Sequence, residues 1–489
     1  FSTLYRGNNV VRVVCTSLTN TPFTGNSGVL CKLNFVTSSN LSDGIYDVNI
    51  TNIAASNTSA QDIPMPDIKG SVTLKSFVRG DVNNDGKISV ADATAATTFV
   101  LGNQLPSFIF EAADMDGSGE VKVNDVTAVI GLVLNDGLNT YTLSAKRMYA
   151  KARNTKVNKT QLYVEPFAIE PGEKKYINII LDNPDLVTIG WQTDIKLPEG
   201  ISFCTNKKGK YITIVDEDRT PDYVISSALR EKGKVRVVGV NMQNEPIYET
   251  SGAIMSIQVQ AAENLPAGIY NVELTHTSLS NERSEDIVLD DAVSSVLSGD
   301  LSKIKAMTLN GGWSNNAITA LNGKISTNDV ITSVDMSSAL AMESTASVMT
   351  ANPNTLVYLP EKMTLANEKN VVCGENCANL VITDGKPFGA TRSFEAATAL
   401  YSRSLTAQWG TVCLPFDLTG DMDIQYYVLS DISDVKMTFV PVASVAAGTP
   451  AVFKVGSGSD MNISGSNVTV ATSTNSWESI VAGENWKMQ

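Results

Sequence analysis

Asp81-Val-Asn-Asn-Asp-Gly-Lys-Ile-Ser-Val-Ala-Asp92 is the stretch that decides how the rest of the chain is read. Oxygen-bearing side chains stand at its first, third, fifth, ninth and twelfth places, and Gly86 stands at the sixth. Calcium is a hard cation that takes several oxygens at about 2.4 Å. A loop gathers them only when alternate side chains turn inward around a glycine that permits a sharp bend. A second stretch, Asp114-Met-Asp-Gly-Ser-Gly-Glu-Val-Lys-Val-Asn-Asp125, repeats the pattern 33 residues later (114 minus 81), with Gly119 and Val121 in the places of Gly86 and Ile88. One acidic loop is compatible with a solvated turn, whereas two in register predict a pair of metal loops. Each loop runs into a segment with an apolar helical face, Ala93 to Leu101 with Ala96, Phe99 and Val100, and Val126 to Leu134 with Val129, Ile130 and Val133. Thr94 and Thr127 align as well.

The general EF-hand pattern has glutamate at the twelfth place and a helix before the loop. Here the twelfth residue is aspartate twice, and the strand-like run Ser71-Val-Thr-Leu-Lys-Ser-Phe77 precedes the first loop. Loop-then-helix, twice, opening on Gly80-Asp81-Val82-Asn83 and Asp85-Gly86-Lys87-Ile88, resembles the type I dockerin module over about residues 78 to 138. The resemblance implies two calcium sites. The first would use Asp81, Asn83, Asp85, the Lys87 carbonyl, Ser89 (directly or through water) and Asp92; the second would use Asp114, Asp116, Ser118, the Glu120 carbonyl and Asp125. Ser118 and Lys122, at the fifth and ninth places, depart from the richest ligand set, so the second site is expected to be the weaker.

At 489 residues the chain is too long for one core, and three or four domains are expected. A net charge of −14 argues against nucleic acid as a partner. The apolar stretches are strand-length, so no transmembrane helix is expected. Phe1-Ser-Thr-Leu-Tyr lacks the basic and apolar regions of an export signal, and the text reads as opening in mid-domain. The expectation is an export signal upstream of Phe1 and a secreted or bacterial cell-surface location. The six cysteines, at 15, 31, 204, 373, 377 and 413, show no zinc-type spacing, and with His276 the only histidine they read as buried thiols with at most one disulfide.

Residues 1 to 75 alternate apolar and polar, as in Val11-Arg-Val-Val-Cys15, Val29-Leu-Cys-Lys-Leu-Asn-Phe35 and Ile45-Tyr-Asp-Val-Asn-Ile50, which predicts half-buried antiparallel strands. The same text returns 224 residues later: Val11-Arg-Val-Val over Val235-Arg-Val-Val, Gly44-Ile-Tyr46 over Gly268-Ile-Tyr270, Ser56-Asn57 over Ser280-Asn281. The later copy has a front half that the first lacks, including Lys175-Tyr-Ile-Asn-Ile-Ile-Leu181 and Trp191-Gln-Thr-Asp-Ile-Lys-Leu-Pro198, which completes a two-sheet sandwich. The opening strands of the first copy are expected before Phe1. With its Asn183-Pro184, Glu199-Gly200 and Pro266-Ala-Gly-Ile-Tyr270, the full copy is similar to the cohesin-like and carbohydrate-binding-like sandwiches. Cohesins partner dockerins, so the resemblance implies a cohesin-like partner in cis or in trans. The basic run from Lys146 to Lys159 reads as a solvated linker or first strand.

The expected organisation is therefore multidomain and mainly β. A partial cohesin-like sandwich (1–77) is followed by a small α-helical, dockerin-like paired F-hand calcium module (78–138) and a complete cohesin-like sandwich (139–300). A β-rich region (301–489) closes the chain, with a leucine-rich-like coil at 305–360 and a further sandwich among its expectations. Gly323-Lys-Ile-Ser-Thr-Asn-Asp329 echoes the first loop, but Ile318, Ala320 and Asn322 stand where its leading ligands would be, which rejects a third calcium site. His276 sits alone on a strand-like segment and makes no catalytic triad. Two readings of function stay open. One is a non-catalytic calcium-binding protein of surface assembly or adhesion, serving polysaccharide breakdown by way of the dockerin resemblance. The other is a glycan-binding accessory component holding polysaccharide on Trp191, Trp313 or Trp409.

Overall fold

The structure, a computed structural model, describes residues 1–489 apart from 1, 8, 18, 20, 23–26, 33–40, 75, 135–158, 231–232, 406–407, 420–422, 434–435, 457–459, 474–476, 482–483 and 489. The basic run up to residue 158 lies outside the described residues. Two compact units emerge, Phe1–Val78 and Arg79–Gln489.

The first unit holds β1 (Ser2–Gly7), β2 (Val10–Val14), β3 (Gly44–Ile50), β4 (Ala54–Ser56), β5 (Asp62–Pro64) and β6 (Ile68–Leu74). They pair as three antiparallel ribbons, β1 with β2, β3 with β6 and β4 with β5. The strand expected at Val29–Phe35 is not found: Val29 to Lys32 run without strand structure, and 33–35 lie outside the described residues. A strand needs a neighbour to take its backbone hydrogen bonds, and no described strand of this unit lies beside Val29. Leu4, Val11, Ile45 and Val72 remain exposed.

The second unit opens with three helices, α1 (Val90–Val100), α2 (Phe110–Ala113) and α3 (Val123–Leu134). Ser89 caps α1: it is extended, its hydroxyl accepts from Ala91 N–H, and Asp92 reaches back to the Ser89 N–H at 2.8 Å, a capping box. Val82, Ala96, Val100, Val126, Val129 and Ile130 pack between the helices with no exposure above a few per cent.

A β-sandwich follows, built of β7 (Gln161–Val164), β8 (Phe167–Ile169), β9 (Lys174–Asp182), β10 (Gly190–Lys196), β11 (Ile201–Phe203), β12 (Thr213–Val215), β13 (Tyr223–Leu229), β14 (Lys234–Asn241), β15 (Ser251–Ala261), β16 (Gly268–Ser280), β17 (Asp286–Val288) and β18 (Ala292–Ser298). One sheet runs β13-β14-β10-β16-β18-β8, with β17 beside β16; the other runs β11-β15-β9-β7, with β12 beside β15. Period-two alternation decides which side chains enter the core. On β10 and β14, Trp191, Ile195, Val235 and Val237 turn inward to meet Ile177, Ile179, Ile257 and Val259 of the other sheet. Trp191 is fully buried and lies over the backbone of its cross-strand partner Gly239, where any Cβ would strike the indole. The other parity, Arg236, Val238 and Val240, faces outward.

The remaining strands are β19 (Ala306–Trp313), β20 (Ser333–Met342), β21 (Leu356–Leu359), β22 (Val371–Cys373), β23 (Asn376–Thr383), β24 (Phe394–Ser404), β25 (Trp409–Val412), β26 (Leu418–Thr419), β27 (Ile424–Ser433), β28 (Lys436–Val442), β29 (Ser444–Val445), β30 (Ala451–Val455), β31 (Asp460–Val470), β32 (Trp477–Val481) and β33 (Glu484–Met488). From β19 to β22 the pairing is parallel, with helix α4 (Asn315–Ile325) crossing between β19 and β20. Trp313 is 1% exposed in the core under α4. Buried asparagines tie successive turns of this region together. Asn328 donates to Leu301 O and Ile304 O and accepts from Val330 and Ile331 N–H, while Asn352, Asn354 and Asn370 make the same kind of bonds further on. The antiparallel sheet β25-β30-β27-β28 closes a separate core around Phe394, Tyr426 and Phe453.

Candidate metal centre and docking face

Both loops are held by their own carboxylates in the same way. Asp81 accepts from the N–H groups of Asp85 and Gly86, each at 3.0 Å, and Asp114 from those of Ser118 and Gly119 at 3.0 and 2.9 Å. At the twelfth place Asp92 closes its loop on Asn83 and Ser89 N–H at 3.1 and 2.8 Å, and Asp125 closes the other on Met115 and Lys122 N–H at 2.7 and 2.9 Å. Gly86 and Gly119 sit at φ 87° and 82°, a backbone state glycine adopts freely.

The candidate ligands are placed as follows. Asp81, Asp92, Asp114 and Asp125 are buried, Asn83 and Ser89 half-buried, and Asp85 and Lys87 exposed. Asp114, Asp116 and Asp125 each bring one oxygen within 4.8 Å of the others. No such cluster of three carboxylates forms in the first loop among the described residues. Ser118 Oγ points at the Glu120 carbonyl at 3.2 Å. Asn124, absent from the sequence-level ligand set, donates to Asp116 Oδ2 at 2.8 Å. Burial pushes the Asp125 carboxyl up to about 6, with the Asp116 charge adding to the rise against backbone hydrogen bonds that lower it. Three gathered carboxylates, one of them costly to ionise, form an oxygen donor set that a hard divalent cation completes, so calcium fits the residues present.

Lys122, at the ninth place, offers no ligand oxygen from its side chain. Its ammonium instead bridges Glu120 and Asp286, both at 2.8 Å, the latter on β17 of the sandwich. Those two carboxylates hold the Lys122 ammonium above its ordinary lysine value. The module thus sits on the outer face of the β10–β14–β16 sheet. Val123 N–H donates to Gln192 Oε1 at 3.0 Å; the Thr127 hydroxyl meets Ser280 Oγ at 2.6 Å; Asn244 Nδ2 donates to Thr127 O at 3.2 Å. Val238 and Val240 share one core with Val123, Val126 and Val129. At the far end of α1, Arg236 is held by Asp194 at 2.6 Å and donates to Val100 O at 3.4 Å, placing a cation at a helix C-terminus. Gln192, Arg236, Ser280 and Asp286 escaped the sequence reading because a docking face is a set of side chains from distant strands. The one local signal was a lysine where a ligand was expected.

The aromatic candidates divide. Trp191 and Trp313 are core, while Trp409 is 51% exposed, with Tyr427 at 5.4 Å between ring centroids and Lys454 Nζ 5.3 Å from its ring. His276 sits at a bulge, φ 53°, 3.4 Å from Asp194. All six cysteines are free thiols, but the expectation of buried thiols fails for Cys15, Cys31 and Cys413, which are exposed, and only Cys377 is fully buried.

No curated protein matches the chain. Among solved structures it is similar to a type I cohesin–dockerin complex of Clostridium thermocellum, Coh-OlpA-Doc918, with 12% identity over 29% of this chain and 99% of that one at a TM-score of 0.25. It is similar also to a non-cellulosomal cohesin of Archaeoglobus fulgidus (11%, 29% and 92%, 0.24) and to the cohesin module of a Clostridium perfringens family 33 glycoside hydrolase (13%, 29% and 96%, 0.24). The family model of the dockerin type I domain matches residues 79–134, the loops and helices described above. Residues 79–134 are accordingly a type I dockerin module, set in a mainly β chain.

Proposed function

We propose that the chain is a non-catalytic, extracellular, calcium-binding modular protein of cell-surface assembly or adhesion, in which the dockerin module is a calcium-stapled joint docked in cis on the cohesin-like sandwich. The observation that carries this reading is the seating of α3 and the lysine before it on β10, β16 and β17 through Val123–Gln192, Thr127–Ser280 and Lys122–Asp286. Asp81, Asn83, Asp85, the Lys87 carbonyl, Ser89 and Asp92 would hold one calcium, and Asp114, Asp116, Ser118, the Glu120 carbonyl and Asp125 a second. Bound calcium supplies charge neutralisation, and the chain's own residues do the rest. Asp125, in the first turn of α3, fixes the helix start that presents Val123 N–H to Gln192. Dockerins serve polysaccharide-degrading assemblies, which supports the same process here. The exposed Trp409–Tyr427 pair supports a second reading, a glycan-holding accessory component.

Calorimetric titration of calcium into chelator-treated protein, with limited proteolysis of the same samples, tests the joint. Binding accompanied by protection of 79–134 is expected. Binding without protection leaves a calcium module that does not dock in cis, and no binding overturns the reading.

A further inference from the structure

The sandwich residues that reach the module from β14, β16, β17 and the turns beside them include Arg230, whose guanidinium lies against Gly102, with Arg236, Val238, Val240, Met242, Asn244, Ser280 and Asp286. Shifted by 224, six of these eight fall on identical residues, Arg6, Arg12, Val14, Asn20, Ser56 and Asp62, while Val240 and Met242 fall on Thr16 and Leu18. Residues 1–74 and 225–298 agree at 24 of 74 positions, about a third, so identity at six of these eight contact positions exceeds the background of the repeat. The strands agree too. Ser2 pairs Val14 as Ser226 pairs Val238, Gly44 pairs Leu74 as Gly268 pairs Ser298, and Ala54 pairs Pro64 as Ser278 pairs Val288. In the first unit Arg6, Arg12, Val14, Ser56 and Asp62 are exposed.

We propose that the first unit is a second receptor for the calcium module, taking α3 of a second copy of this chain, a proposal that rests on the docked arrangement of Proposed function. Charge fixes the occupant. Asp62 stands where Asp286 receives Lys122, and Arg6 and Arg12 stand where Arg230 and Arg236 meet the C-terminal end of α1. Val240 is replaced by Thr16, similar in shape.

The test uses the full chain. Sedimentation equilibrium in calcium over a wide concentration range is expected to show self-association that a chelator removes. Arg12→Glu with Asp62→Lys is expected to weaken association at least tenfold while residues 79–134 keep their protease protection, which reports the contact in cis. Asp286→Lys frees the module and is expected to strengthen association several-fold. Lys122→Glu is expected to abolish association, and adding Asp62→Lys to restore it, a rescue that misfolding cannot mimic. A chain that stays monomeric in calcium even as Asp286→Lys, or association indifferent to Arg12→Glu with Asp62→Lys, overturns the proposal. Loss of protection in the unaltered protein would instead overturn the docking in cis.

Discussion

Gly190 of β10 lies directly beneath Thr127 of α3, so closely that a Cβ at Gly190 would stand 2.8 Å from Thr127 Cγ2 and 3.0 Å from Val123 Cγ2. The glycine is what lets the helix descend far enough for Thr127 to reach Ser280 and for Val123 N–H to reach Gln192. The Gly190 backbone is not in the left-handed region, so alanine can replace it without backbone strain. Gly190→Ala is expected to lift the module, weakening its docking by about 1–3 kcal/mol, the usual cost of an extra methyl in a packed contact. Hydrogen exchange should show faster exchange of α1 and α3 with the sandwich strands unchanged.

Removing the first carboxylate of each loop tests the metal staple. Asp81→Ala and Asp114→Ala together delete the acceptors that Asp85, Gly86, Ser118 and Gly119 N–H groups use, along with one ligand from each loop. Since metal affinity and folding are one equilibrium in such modules, the double variant is expected to lose calcium binding and the helical signal of residues 79–134. The sandwich has its own core around Trp191 and should keep its thermal transition. Unaltered helical circular dichroism and protease resistance would sink the staple.

The loops were legible because the chemistry is local: oxygen donors at fixed spacing around Gly86 and Gly119 state the geometry within twelve residues. The repeat was legible for a similar reason, a constant offset without a gap. The docking face was not, because Gln192, Ser280 and Asp286 meet α3 only after three strands assemble and alternation turns one parity outward. The asparagine ties of the parallel-stranded region were not legible either, since the burial of Asn328, Asn352 and Asn370 arises only when the turns around them stack. Helix starts fell three residues early, at Val90 and Val123 instead of Ala93 and Val126, because loop positions ten to twelve already form the first turn.

Thiol chemistry should sort the cysteines by burial. Burial, with the Cys373 thiol close by, pushes Cys377 up to about 11, so at pH 8 roughly one molecule in a thousand carries the reactive thiolate. Burial raises Cys204, Cys373 and Cys413 as well. Alkylation of native protein at pH 8, followed by peptide mass spectrometry, is expected to label exposed Cys15 and Cys31 first and Cys377 last. Early labelling of Cys377 would mean that the β22–β23 hairpin opens.

Asn328 offers the sharpest test of the parallel-stranded region. Its amide donates to two carbonyls, Leu301 O and Ile304 O, both at 2.8 Å, and accepts from two N–H groups, Val330 and Ile331, both at 2.9 Å, with no exposed surface of its own. Asn328→Ala leaves four backbone groups without those partners in a place closed to water, and each such group costs about 1–3 kcal/mol when nothing replaces the bond. Local resettling recovers part of this, so the expected loss is about 3 kcal/mol. Asn328→Asp keeps the two acceptor bonds but replaces the donor with a buried carboxylate facing two carbonyls, and should be no better near neutral pH. Thermal unfolding monitored through the near-ultraviolet signal of Trp313, which packs in the same core, would report the change. A loss below about 1 kcal/mol in Asn328→Ala would show that the strands and α4 hold this region without the asparagine ties.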